Sequence, residues 1–334
     1  MKKRTLHRAT VTLMAVGVLL IPSFASAATA SKSSQAPVTD TSTLKISPVR
    51  TDTTISAGTT VKVPVYITNL KSSPVLLQPI ENDFISGDEH GTPAILLDAN
   101  SYAPTHSLKR FMVALPNVLV ASNATQKVDV TITIPKAAQA GGYFGAIRFA
   151  PTSIDGSKSV SIGTSVASLI LVTVPGPYVE QMNLTNFDVQ QNGGTATNFR
   201  TPNDLSLLLR FQNKGNVQLA PFGQVYIQKG KKVVYSYSFN NIEPKAQILP
   251  DSARRWTVPV KNLGKFGKYT IGATFGYGTK GQSIDVSKTI WIVPTTYIYA
   301  GVGALVAIIV LIIVIVTFLK SYKKRILRAS RRRY

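Results

Sequence analysis

Hydrophobic and polar residues alternate along most of the chain between its two ends. The alternation is clearest in residues 61–67, 128–134, 205–211 and 269–275, where every second residue is apolar. A period of two with one polar face is typical of antiparallel strands in a half-buried sheet. Turns rich in glycine and asparagine separate the runs, and no amphipathic helix pattern interrupts them. The pattern predicts an all-β fold built from immunoglobulin-like β-sandwiches.

The two ends of the chain break this pattern. Residues 298–319 are 22 uncharged residues, and the tail at 320–334 then carries eight Lys or Arg and no acid. As a helix the uncharged run is roughly 33 Å long, enough for a hydrocarbon core of about 30 Å. Because basic flanks stay in the cytoplasm, the residues before the span are predicted to lie outside the cell. A basic start, a short apolar run and Ala25-Ser26-Ala27 predict a secretory signal peptide cleaved after Ala27.

Between the two ends, the chain is long enough for two domains of ordinary size. Residues 166–174 are almost continuously apolar, and Pro175-Gly176-Pro177 stops that run. The predicted organisation therefore has six parts. They are a signal peptide at 1–27, a flexible lead-in at 28–43, a first β-sandwich at 44–175, a second at 176–296, a transmembrane helix at 298–319 and a basic cytoplasmic tail at 320–334.

Composition narrows the class of protein. The chain has no cysteine, which excludes disulfides, thiol catalysis and thiolate metal sites. Animal ectodomains of this size usually carry disulfides, so the composition favours a bacterial surface protein. Of the net charge of +22, residues 176–296 supply a surplus of eight, from 14 basic and 6 acidic residues. Outside the cell, such a surplus predicts contact with anionic wall polymers or lipid headgroups rather than nucleic acid.

Few residues are candidates for chemistry. His90 and His106 have serines and aspartates nearby in sequence, but no nucleophile elbow accompanies them, so loop positions are expected for both. One stretch is acidic: Glu81, Asp83, Asp88 and Glu89. It lacks the spacing of a calcium loop, and the sequence leaves open whether residues 81–89 bind a cation. We therefore expect no enzymatic activity, no cofactor and no metal site, and no ligand-binding residue is assigned.

Three further features have a structural and a functional interpretation. Lys229, Lys231 and Lys232 surround Gly230, either as a charged hairpin tip or as a contact for an acidic polymer. Trp256 is expected in the core rather than on a ligand platform, because tryptophan is highly buried on average. The glycines of residues 141–145 are expected to permit a bulge or close backbone packing, since no helix follows to make a phosphate loop.

The order of motifs resembles a known family. Ser107-Leu108-Lys109 precedes the alternating residues 128–134, Pro135 and the glycine-rich residues 141–149. This order is similar to the first ectodomain of the WxL-interacting surface proteins of Gram-positive bacteria. His90-Gly91 stands where that family has an Asn-Gly-type turn, with His90 in place of Asn. The resemblance implies a peptidoglycan-binding first domain and a second domain that binds host or partner proteins.

Two functions remain open at the level of sequence. The first is a membrane-anchored scaffold or adhesion protein that binds cell-wall peptidoglycan and surface or host proteins. The alternative is an accessory or chaperone-like protein for the assembly of pili or surface layers. Proteins of the second kind pair a strand with their client, so an exposed, unprotected sheet edge would favour the alternative.

Overall fold

The structure, a computed structural model, describes residues 43–152 and 165–330. The predicted signal peptide lies outside the described residues, as do all but the last residue of the predicted lead-in and the end of the basic tail. Before residue 295 the described chain is strand, turn and loop, apart from a short 3-10 helix at Lys109–Phe111.

The first β-sandwich has a sheet of three strands packed on a sheet of six. Its strands are β1 (Leu44–Ser47), β2 (Arg50–Thr54), β3 (Thr60–Asn69), β4 (Val75–Ser86), β5 (Pro93–Ile95), β6 (Val118–Val120), β7 (Thr125–Thr133), β8 (Gly141–Thr152) and β9 (Val166–Val174). The smaller sheet has the order β1-β3-β7, and the larger has the order β2-β9-β8-β4-β5, with β6 paired to β4. The alternating apolar residues of β3 and β7 face the core between the sheets, as the period of two predicts.

The second β-sandwich has sheets of four and five strands. Its strands are β10 (Met182–Gln191), β11 (Gly194–Thr195), β12 (Asn198–Phe199), β13 (Leu205–Asn213), β14 (Phe222–Lys229), β15 (Lys232–Phe239), β16 (Ala253–Pro259), β17 (Gly267–Tyr277) and β18 (Gln282–Ile292). The sheet orders are β11-β10-β13-β16 and β12-β18-β17-β14-β15. Phe211, Phe239 and Phe275 meet in the core, and Trp256 packs edge-on against the first two, in agreement with its predicted core position.

The two sandwiches share one feature of strand pairing. In each, the last strand pairs in parallel with a short early strand, β9 with β2 and β18 with β12, while the other pairings between these strands are antiparallel. The strands of the two sandwiches are separated along the chain by residues 175–181, where the sequence predicts a domain boundary. The predicted fold class, all-β with two tandem immunoglobulin-like sandwiches and one C-terminal apolar helix, is confirmed.

One strand of each sandwich, β8 in the first and β17 in the second, has a tyrosine as its third residue. The Tyr269 hydroxyl donates to the carbonyl of Gly264 at 3.3 Å, and the Tyr143 hydroxyl donates to the carbonyl of Gln139 at 2.9 Å. A tyrosine bonded to the backbone a few residues upstream is the tyrosine corner of immunoglobulin-like folds. Two residues before each tyrosine a glycine has a positive φ, 145° at Gly141 and 144° at Gly267. The repeated corner fixes how the chain enters β8 and β17.

The glycines of β8 permit close packing rather than a bulge. Pairing of β8 with β9 runs without a register shift. A Cβ added at Gly142 would lie 2.6 Å from the Phe144 ring, and one at Gly145 would lie 3.0 Å from Leu108. Of the two sequence-based expectations, close backbone packing is therefore the one observed.

One long helix, α1, spans Thr295–Ser330 and begins directly after the second sandwich. Its stretch Thr295–Lys323 is long and apolar enough to cross a membrane. The helix extends beyond the predicted span at both ends and continues into the basic tail. Arginine and lysine favour helix and no proline interrupts the tail, so the helix has no local reason to stop at Leu319.

Candidate functional site

The loop joining β4 to β5, residues 87–92, extends from the first sandwich to the second. The Asp88 carboxylate organises this loop by accepting the backbone N–H groups of Thr92 at 3.0 Å and His90 at 2.8 Å. These hydrogen bonds, the one from Thr92 above all, lower the pKa of Asp88 to about 2. The Asp88 carboxylate therefore stays ionised at neutral and mildly acidic pH, and the loop that it organises carries Glu89 to the second sandwich.

Glu89 binds two arginines of the second sandwich. Arg210 donates to its carboxylate at 2.6 and 3.0 Å, and Arg255 donates at 3.0 Å. The Arg255 backbone N–H also donates to the Glu89 carbonyl at 2.6 Å. Arg210 and Arg255 lie opposite each other on β13 and β16, where like charges repel. Glu89 relieves that repulsion, and the Arg210 guanidinium, with Arg255, lowers the pKa of Glu89. We call this contact the Glu89 latch.

A second contact joins the sandwiches near the tyrosine corner of β8. The Asn216 carbonyl accepts the Gly142 N–H at 2.8 Å, and the Asn216 amide donates to the Ala140 carbonyl at 3.0 Å. Nearby, the Gln218 side chain donates to the Thr173 hydroxyl at 2.9 Å. A Cβ at Gly141 would lie 2.7 Å from the Asn216 carbonyl oxygen, so only glycine permits this approach.

Between the two contacts lies a cleft of about 120 Å³. It has basic side chains, a polar amide and an apolar floor. Residues lining it include Arg50, Phe84, Leu169, Leu171, Gln247 and Arg254. Ligand sites typically combine an apolar lining with a few convergent polar groups, and this cleft has that composition.

Arg254 is the unusual residue of the cleft. It lies against Gly91, where a Cβ would come within 2.1 Å of its guanidinium, and over the Trp256 ring at 5.1 Å. It donates to the Gln247 carbonyl at 3.1 Å, but its buried Nε has no partner among the described residues. Burial, and then the charge of Arg50, lower the pKa of Arg254.

Arg254 therefore has no close ion-pair partner in the cleft that the described residues form, although the more distant Asp88 carboxylate acts on it as an opposite charge. No carboxylate among the described residues lies within salt-bridge distance of Arg254, whereas Arg50 is already paired with Asp52. The buried Gln247 Oε1 is also without a hydrogen-bond partner in the described part of the chain. Buried polar atoms are normally bonded, so a cleft lined by an arginine without an ion-pair partner points to a ligand that accepts from it, whereas the Gln247 Oε1 is itself an acceptor and needs a donor. The chemistry suits a carboxylate beside an apolar group.

The acidic residues singled out from sequence do not come together. Asp83 is buried and accepts the backbone N–H groups of Ala103 and Lys109, and Glu81 accepts that of Leu115. Asp88 and Glu89 have the separate roles given above. Within residues 43–152 and 165–330, no three His, Asp or Glu side chains group as metal ligands would. These carboxylates thus serve backbone order and the contact between sandwiches.

The two histidines have separate structural roles. The His90 backbone belongs to the Glu89 loop, and the His106 ring bonds to the Gly142 carbonyl at 2.6 Å and packs near Tyr143. The buried Ser107 hydroxyl beside it has no partner among the described residues, so it is not bonded to His106. No hydrogen-bonded Ser-His-Asp arrangement occurs in the described part of the chain.

Strand β15 is an open sheet edge. In the described structure it pairs only with β14, and its outer side has no partner strand. It has eight residues and no proline, and Val233 and Tyr237 are exposed. Such an edge can receive an added strand from another chain. At its start, Lys231 and Lys232 form the basic hairpin tip expected from sequence.

Sequence reasoning missed the residues of the cleft. Arg254 stood beside Trp256 in the sequence, but only the tryptophan was assigned a role. The sequence contained one signal for it. Arg254 and Arg255 are consecutive in an alternating strand, so their side chains point to opposite faces and one arginine must lie on the same face as Trp256. Arg50 and Gln247 gave no signal, since their proximity depends on how the sandwiches meet.

Comparisons with known proteins found fold-level likeness only. No protein-family model matches the chain, and no curated protein is similar to it. A solved chaperone–tip adhesin complex of CFA/I fimbriae is 13% identical, covering 75% of this chain and 99% of that one, with a TM-score of 0.37. The class 5 fimbriae chaperone CfaA is 12% identical, covering 75% and 99%, with a TM-score of 0.38. The E. coli chaperone DraB is 15% identical, covering 73% and 96%, at 0.32. At these values the likeness assigns neither a family nor a function.

Proposed function

We propose that this chain is a membrane-anchored, non-catalytic accessory protein that binds a segment of another surface protein. A carboxylate of that segment binds in the cleft between the sandwiches. The observation that carries the proposal is Arg254, a half-buried guanidinium with an unpartnered Nε and no carboxylate in salt-bridge reach among the described residues. A carboxylate ligand in the cleft would pair with the charge of this guanidinium.

The open edge of β15 supports the same kind of partner. An extended segment can add to a free edge through main-chain hydrogen bonds, with alternate side chains contacting the sheet. An exposed sheet edge is the feature that favours the second function considered from the sequence, an accessory protein for the assembly of pili or surface layers. An adhesion or scaffold protein would bind other surface proteins through the same kind of surface, so these roles are compatible with the proposal.

The proposed topology follows from α1 and its flanks. The helix crosses the membrane, the basic tail stays inside, and both sandwiches lie outside. Peptidoglycan binding by residues 44–175 stays a prediction from the family resemblance. It is tested by sedimenting the full chain in detergent with purified peptidoglycan, with and without its anionic polymers.

The cleft is tested with the full chain in detergent and labelled peptides of extended sequence. Each peptide is made twice, with a free C-terminal carboxylate and as the amide. We expect binding of the acid form, and Arg254→Gln should weaken it about tenfold or more, the value of a charge-assisted hydrogen bond. Lys280→Gln, an exposed lysine of the second sandwich, is the control and should leave affinity unchanged.

Two results would contradict the proposal. One is equal binding of acid and amide peptides, which would mean that the carboxylate is not recognised. The other is wild-type affinity in the Arg254→Gln chain. If the variant unfolds, competition by acetate against the acid peptide on the wild-type chain answers the same question, since only carboxylate recognition predicts displacement.

A further inference from the structure

The end of the second sandwich next to α1 has an unusual surface. Strand β18 ends at Ile292 and the helix begins at Thr295, so little chain separates sheet from helix. The loops at residues 192–204, 229–232 and 260–267 lie at this end, because β12, β13, β14 and β17 begin or end beside Ile292 or Leu205. We call this end, with the start of α1, the helix-proximal face.

Exposed aromatic side chains gather on this face. Phe266 is 48% exposed, Trp291 is 43% exposed and Tyr297 is 58% exposed. The rings of Phe266 and Tyr297 have centroids 5.2 Å apart, which places the loop at residues 260–267 directly against the first turn of α1. Scattered exposed aromatic residues are ordinary. Aromatic residues collected where a membrane helix begins are typical of the membrane–water interface.

Basic side chains surround these aromatic residues. The Lys229 ammonium donates to the Phe266 carbonyl at 3.0 Å, and that of Lys268 lies 5.9 Å from the Trp291 ring. All basic residues of the face are exposed: Arg200, Lys229, Lys231, Lys232, Lys261, Lys265 and Lys268. Asp204 is the single acid of the same described loops. The other five acids of residues 176–296 lie elsewhere, so the basic surplus of the second sandwich is concentrated here.

We propose that the helix-proximal face rests on the headgroups of anionic phospholipids in the leaflet where α1 enters the membrane. The lysines meet the negative surface within a Debye length of about 8 to 10 Å, and the aromatic rings lie at headgroup level. Contact with anionic lipids then fixes the orientation of the second sandwich at the membrane, in addition to its tethering by α1. This inference rests on the proposed anchoring by α1.

The test uses the full chain in lipid nanodiscs and the fluorescence of Trp291. The chain has two tryptophans, so Trp256→Phe leaves Trp291 as the only reporter. Discs are made from phosphatidylcholine alone or with phosphatidylglycerol. With the anionic lipid we expect acrylamide quenching to fall at least about twofold, and bromine-labelled lipid to quench Trp291. Both changes should be lost near 1 M salt, where the Debye length is about 3 Å.

A matched pair of variants assigns the effect to the face. Replacing Lys229, Lys231 and Lys232 by glutamine should abolish the lipid dependence. Replacing Lys214 and Lys280, which lie away from this face, should preserve it. Equal acrylamide access in both lipids, in chains that co-elute with the discs, would overturn the inference while anchoring stands. Failure to co-elute would instead refute the proposed anchoring, and this inference with it.

Discussion

Two buried asparagines hold the same place in the two sandwiches. Asn69 ends β3 and Asn213 ends β13, and neither side chain is exposed. The Asn213 amide donates to the carbonyls of Val217 at 2.8 Å and Ile248 at 2.9 Å, while its oxygen accepts the Gly215 N–H at 2.9 Å. One side chain thereby satisfies the Val217 carbonyl and the Gly215 N–H of the turn. It also adds a second donor to the Ile248 carbonyl, which already accepts the Leu219 N–H at 3.0 Å. Residue 69 does the same work in the first sandwich.

Asn213→Ala should destabilise the second sandwich strongly. The substitution leaves the Val217 carbonyl and the Gly215 N–H without partners and removes one of the two donors to the Ile248 carbonyl, a loss of roughly 3 kcal/mol. Thermal unfolding of the full chain in detergent should shift down by roughly 6 °C or more. Asn203→Ala, at an exposed loop position, is the control and should unfold near the wild-type temperature. If Asn213→Ala unfolded at the same temperature as Asn203→Ala, the role of the Asn213 side chain in stabilising the second sandwich would be refuted.

At the scale of elements, the glycine before the tyrosine corner of β8 decides how that strand meets the second sandwich, and the turn glycine Gly193 provides a comparison. Gly141 and Gly193 both have a positive φ, 145° and 82°, which costs other residues backbone strain. Only at Gly141 would an added Cβ meet a neighbour, the Asn216 carbonyl of the second sandwich, whereas at Gly193 nothing lies within 4 Å. The same substitution therefore separates backbone strain from contact between the sandwiches.

Gly141→Ala should cost about 1 to 3 kcal/mol more than Gly193→Ala, because it adds overpacking to strain. The difference is measured from the unfolding temperatures of the two full-length variants. Gly141→Ala should also speed exchange of the Gly142 amide hydrogen, which is bonded to Asn216 across the contact. Equal unfolding temperatures and equal exchange would show that the contact near β8 does not restrain the sandwiches.

For the whole molecule, the Glu89 latch sets the relation between the sandwiches and hence the shape of the cleft. The folded pKa of Glu89 is lowered, so the latch contributes fully above the ordinary pKa of a glutamate and is lost as pH falls through the folded value. The pKa of Asp88 is lowered to about 2 by its backbone hydrogen bonds, so its turn is retained under mildly acidic conditions. Acid that protonates Glu89 should therefore release the latch.

Acidification well below the ordinary pKa of a glutamate should broaden the distribution of distances between the sandwiches. The chain has no cysteine, so Lys45→Cys with Lys280→Cys gives one spin-label pair across them. In the Glu89→Gln chain the distance distribution should already be broad at pH 7 and should not change with pH. The substitution removes a partly exposed ion pair, at a cost of roughly 1 kcal/mol. A distance distribution that is narrow at both pH values would show that the latch does not control the arrangement.

The sequence by itself determined the elements. A period of two in residues 61–67 and 205–211 is enough to define strands with one buried face, because side-chain alternation is a local property of extended chain. The apolar run at 298–319 defines a helix of membrane length for the same local reason, although the helix continues past it. The repeated Gly-x-Tyr at 141–143 and 267–269 was readable too, and it marks equivalent corners once the two are aligned.

Only the tertiary structure decided the sites. Glu89 and Arg210 are far apart in sequence, as are Arg50 and Arg254, and no local pattern states which charges become neighbours. The acidic residues 81–89 form one cluster in sequence, yet in the fold they divide among backbone groups and the arginines of the latch. Strand pairing fixes local geometry, but the docking of one sandwich on another depends on long-range contacts such as Gly142 with Asn216. The cleft and the latch exist because those contacts form, and the helix-proximal face exists because strand pairing in the second sandwich brings its loops beside the start of α1.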